Sequence, residues 1–117
     1  MKTLSNAEID NVESKQRVTL PRFYRKLLLE EGYGQTEDQK EIYHPSEINE
    51  LYELKFDDES LLYNKYFPIG CNNRTQELWI IDVTNDKIAS IWHETHEDDW
   101  PNENWSEYEV WIENNFE

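Results

Sequence analysis

Cysteine is all but absent: Cys71 stands alone, which excludes an intramolecular disulfide framework and fits a reducing cytoplasm. Glycine is scarce too, at three residues, and no phosphate-cradling glycine loop can be built from them. Long apolar runs are missing. Leu27-Leu28-Leu29 and Leu78-Trp79-Ile80-Ile81 fall far short of the roughly 20 residues that a membrane-spanning helix needs. The N-terminal segment reaches Glu8 and Asp10 without an apolar stretch, so no secretory signal is expected and the cytoplasm is the expected location. Positive charge runs out along the chain, with no Lys or Arg after Lys87.

What is present is acid and aromatic. The chain carries 26 Asp and Glu against 11 Lys and Arg, a formal charge of −15. Residues 1–40 hold seven of each sign, so the other 19 acids and four bases, in residues 41–117, account for the whole imbalance. Such a field repels phosphate backbones, arguing against direct nucleic-acid binding, and favours encounter with a basic protein partner. Solvation alone is the competing explanation. Five Trp and seven Tyr in 117 residues supply enough large apolar surface for one globular domain spanning 1–117, without room for a second.

Ser5 and Glu8 have the spacing of a capping box, predicting a first helix from Ala7 to Gln16. Pro21 suits the first turn of a second helix, whose Tyr24, Leu27 and Leu28 form an apolar stripe and which ends near Glu31, stopped by Gly32 or Gly34. Gln35 to Lys40 reads as loop, Glu41-Ile42-Tyr43 as a short strand, and Ser46 as the cap of a third helix holding Ile48, Leu51 and Tyr52. Tyr66 to Cys71 reads as a strand whose Pro68 suits an edge, a strand end or a bulge. Leu78–Val83 and Ile88–His93 read as a hairpin. With Asn85-Asp86 as a two-residue loop, Trp79 faces Trp92 and Ile80 faces Ile91, while a three-residue loop shifts the register by one. Both faces of that hairpin are mainly apolar. Ser106 and Glu109 form a second capping-box pattern, opening a closing helix with a Tyr108, Trp111, Ile112 stripe.

These landmarks fall in a familiar order. Glu13, then Leu20-Pro21-x-x-Tyr24, Leu27-Leu28-Leu29, Gly32 and Gly34, Phe67-Pro68-Ile69-Gly70, Ile81-Asp82, Lys87-Ile88-x-x-Ile91 and Trp111-Ile112 together resemble the SUKH superfamily of Smi/Knr-type immunity domains across nearly the whole chain. Cys71 to Gln76 departs from the glycine-rich segment that often follows there in the family. The resemblance implies an α+β fold, a mostly antiparallel small sheet flanked by helices. It also implies a role in binding: many bacterial members look like proteins that neutralise toxins, often nucleases, encoded beside them, whereas the fungal branch is associated with cell-wall control and signalling. No catalytic residue defines the family, so none carries over to this chain.

The residues themselves offer three readings. The segment from Glu94 to Trp105 interleaves Glu94, Glu97, Asp98, Asp99 and Glu103 with Trp100 and Trp105, joining steering charge to the indoles that anchor interfaces. Asp82 and Asp86 extend an acidic rim beside it, and Asp57, Asp58 and Glu59 are further candidates. This is the expected contact surface for a protein partner, a basic toxin domain such as a nuclease. The plainer alternative is that the two indoles pin the loop to the core. An intracellular regulatory scaffold is the second functional reading. The third is an enzyme or metal site at His93-Glu94-Thr95-His96, but that spacing does not match a zinc helix and Cys71 lies among acids that disfavour a thiolate. The expectation is therefore no catalytic residue, no metal and no cofactor.

Overall fold

The computed structural model describes residues 1–47 and 65–116. The helix expected to hold Ile48, Leu51 and Tyr52, and the acids Asp57, Asp58 and Glu59, lie outside the described residues. Helix α1 is Asn6–Gln16, capped as expected by Ser5 and Glu8 in a reciprocal capping box. Helix α2 is Arg22–Glu30, and Gly32 provides its left-handed stop at φ 97°, its N–H returning to the Leu27 carbonyl at 2.9 Å. A side chain at Gly32 would also collide with the Lys2 backbone, which pairs with Tyr33 there. Helix α3 is Tyr108–Phe116.

The described residues form an antiparallel five-stranded sheet in chain order: β1 Gly34–Gln35, β2 Lys40–Ile42, β3 Tyr66–Asn72, β4 Glu77–Asp82 and β5 Lys87–Trp92. The arrangement is the expected α+β. One face carries Phe67, Trp79, Ile81 and Ile88 under the helices. Trp111 packs edge-on to Trp79 at 5.1 Å and to Phe23 at 5.5 Å, tying α3, α2 and the sheet into one aromatic core. Lys40 donates its ammonium to the Asn115 carbonyl, placing a cation at the negative end of α3.

Several expectations need correction. The hairpin loop has four residues, Val83 to Asp86, so Trp92 pairs with Glu77 and Trp79 with Ser90. A displacement of two residues preserves which side chains share a face, because the strand period is two. Asp86 takes the left-handed conformation at φ 57° to close this loop, and its N–H bonds the Asp82 carbonyl at 2.9 Å. Strand β3 is central, and of the three places expected for Pro68 it takes the bulge. The register slips between Pro68 and Gly70, so the proline sits at a bulge, beyond the end of β2 where no ladder donor is required. Gly70 is the price of that packing: a Cβ there would lie 2.2 Å from the Glu41 carbonyl oxygen. Pro21 precedes α2 as its cap residue and makes no side-chain cap. Ser106 exchanges backbone bonds with Ile88, and α3 begins two residues later. Gly34 and Gln35, the latter assigned to loop, pair with β2.

Candidate functional site

The acidic segment is a turn of 3-10 helix, Glu97–Asn102, fastened at both ends. His96 accepts the Asp98 N–H at Nδ1, 3.2 Å away, acting as the helix cap, and the Glu103 N–H returns to the Trp100 carbonyl at 3.0 Å. Trp100 is buried, its ring edge-on to Tyr66 of β3 at 5.1 Å. Trp105, half-buried, stacks parallel to the same tyrosine with 6.0 Å between centroids. The Lys65 ammonium stands 5.4 Å from the Tyr66 ring. The indoles therefore clamp the loop to the sheet face opposite the helices. Leu78, Ile80, Ala89 and Ile91 on that face are buried as well.

The carboxylates divide accordingly. Glu94 and Asp98 are exposed, with side chains 63% and 90% accessible, and Asp99 is exposed beside them. Glu103 is half-buried. Glu97 is buried, at 8% exposure, and turns inward. Asp82 and Asp86 are half-buried and engaged at home. Asp82 Oδ1 accepts the Thr84 N–H at 2.9 Å and its hydroxyl at 2.6 Å, holding the hairpin turn. Asp86 Oδ1 accepts the Phe23 N–H at 3.0 Å and so supplies the cap that Pro21 cannot. Asp82 also faces Tyr66 across the β3–β4 pairing, which sets it near the indole clamp.

Sequence reasoning missed two features. Trp92, assigned a place opposite Trp79, is 52% exposed because its true partner is Glu77 at the end of the sheet. The polar run that begins at His93 was the available signal. A half-buried network also escaped notice: Glu13 accepts the Leu20 N–H at 2.7 Å and an Arg25 N–H at 2.8 Å, while Arg25 reaches Asp10 at 2.8 Å. It bolts the Leu20-Pro21 corner between α1 and α2, and Asp10 leads the groups that raise the Arg25 pKa.

His93 is largely exposed, 3.8 Å from the Glu94 carboxylate. Among the described residues, no three His, Cys, Asp or Glu side chains gather as metal ligands. Cys71 is buried, 3.3 Å from the Asn73 Oδ1 and 4.0 Å from a Glu41 carboxylate oxygen. The carboxylate beside it opposes a thiolate, since like charges repel. No helix of the described residues is long and apolar enough to cross a membrane.

Among the described residues, this geometry offers exposed carboxylates on a loop packed against the sheet of a small α+β domain. Compared with family models, residues 3–116 match the SMI1/KNR4 family (SUKH-1). The chain belongs to that family. No curated protein matches it.

Proposed function

We propose that the chain is an immunity-type binding protein, neutralising a basic toxin domain by forming a stoichiometric complex in the cytoplasm. The observation that carries this reading is the display of Glu94, Asp98 and Asp99 on a loop whose indoles are fastened to Tyr66. The loop that carries these carboxylates is already packed, so little of its backbone ordering entropy is lost on contact. Their setting is a stretch with no Lys or Arg after Lys87. A nuclease domain fits as the target, because a protein that grips phosphates is itself basic. In this reading charge sets the association rate and contact with exposed Trp92 slows dissociation. Action is by binding, with no reaction performed on the partner and no cofactor.

Co-expression with the product of an adjacent toxin-like gene tests the proposal. Growth is expected to be restored and an equimolar complex to be recovered. Unrelieved toxicity, with no complex in solution, would overturn it.

A further inference from the structure

Every open sheet has two edges, and here they differ. β1 is only two residues long, whereas β5 runs for six, Lys87–Trp92. Beyond Lys87, β5 carries neither of the devices that usually blunt an edge, a lysine or a proline. Its outward groups follow from the ladder. His93 gives its N–H inward to Gln76, and Ile88 gives its N–H outward to Ser106 at 2.9 Å, receiving the Ser106 N–H at 2.7 Å. Alternation then turns Ser90 and Trp92 outward. The Trp92 carbonyl accepts the Thr95 N–H, but the Ser90 N–H and C=O and the Trp92 N–H make no hydrogen bond among the described residues.

Beside the Ser106 bridge lies a groove of about 280 Å³, lined by Ser90 of the edge, by Glu103 and Asn104, and by Asn114 and Asn115 of α3. Among the described residues, Glu103 is the sole ionisable side chain lining it. Exposed Trp92 lies at the far end of the strand, followed by exposed Glu94. We infer that this edge receives a short extended segment of a basic protein, paired antiparallel through Ser90 and Trp92, its cations facing Glu103 and Glu94. A second copy of the chain is the obvious rival for an open edge, and the charge of −15 opposes it, since like-charged molecules repel. The same charge attracts a cationic strand. Main-chain bonds would give affinity and Trp92 an anchor, as in other cases of strand addition. This inference rests on the reading of the chain as a binder of basic protein and specifies the form in which part of that partner docks.

The probe is a capped pentapeptide of alternating lysine and valine, with a glutamate-valine counterpart, followed by amide NMR and hydrogen exchange on the intact chain. The lysine peptide is expected to shift the Ser90 and Trp92 amides and slow their exchange, and the glutamate peptide to leave both unchanged. Ser90→Pro removes the outward donor without touching the bonds to β4, because proline is tolerated on an edge with its nitrogen outward. It should weaken the lysine peptide about tenfold. Shifts elsewhere, no shift at all, equal binding of both peptides, or Ser90 protection that grows with protein concentration alone would each overturn the inference. The peptide assay needs no toxin, so failure here with a toxin complex still formed defeats the edge alone. Failure of the toxin complex with the peptide still bound defeats the immunity reading instead.

Discussion

Tyr43 shows how a single side chain can set the alkaline limit of the domain. It is buried, with its hydroxyl near the Cys71 sulfur and with Glu41 and Glu47 close enough to repel a phenolate; burial is the largest of these effects, and together they hold its pKa well above the ordinary value of 10.0. Tyr108 is raised in the same direction, by burial first and then by its hydrogen bond to Glu30. In the unfolded chain a phenol loses its proton near pH 10, while the native Tyr43 keeps it. The unfolded state therefore binds fewer protons above that point, and stability falls as pH rises. The contribution is whole below pH 10 and is lost progressively above it, with a limiting slope of about 1.4 kcal/mol per pH unit for one such group. Urea midpoints measured between about pH 9 and 11 should drop steeply for the native sequence and less steeply for Tyr43→Phe. Parallel curves would assign the alkaline loss to other groups.

Among the secondary-structure elements, the β4–β5 hairpin and α2 are coupled by Asp86. The turn needs a residue comfortable at φ 57°, and α2 needs an acceptor for the Phe23 N–H; aspartate meets both demands. Asp86→Asn keeps both properties and should change stability by under about 0.5 kcal/mol. Asp86→Ala loses the cap and strains the turn, at a cost of about 2 kcal/mol in urea unfolding. Equal stabilities would show that the cap contributes nothing. This element also marks where the sequence was legible and where it was not. Ser5 and Glu8 lie three residues apart, so their capping box could be read directly, as could the stripe of Tyr24, Leu27 and Leu28. The faces of the hairpin were legible because side-chain alternation survives an even shift. Asp86 meets Phe23 across 63 residues, and Trp100 meets Tyr66 only after the sheet exists. No local pattern announces such pairs, and a proline that suits an edge, a strand end or a bulge does not by itself say which of the three it occupies. The loop from Glu94 to Trp105 was visible as charge and indole. Its division into an exposed rank of carboxylates and a buried indole and Glu97 required the fold.

For the whole molecule, the question is whether the field that brings a partner in is local or global. All 11 Lys and Arg precede Ile88, so the C-terminal part projects unopposed negative charge. At about 0.1 M salt the Debye length is roughly 10 Å, short enough that only carboxylates near the contact steer an approaching cation. The exposed set is Glu94, Asp98 and Asp99; Glu97 is left out because reversing a buried charge would destabilise the fold and confound the measurement. Reversing those three to lysine should slow association with a basic partner by about tenfold or more and flatten its dependence on salt, with the thermal midpoint held. Lysines placed instead at Asn11, Ser14 and Thr19, exposed residues on and just after α1, add positive charge away from the loop and should slow association far less for each unit of charge changed. If both sets slow it equally per charge, net charge alone steers the encounter, and the loop loses its standing as the contact surface.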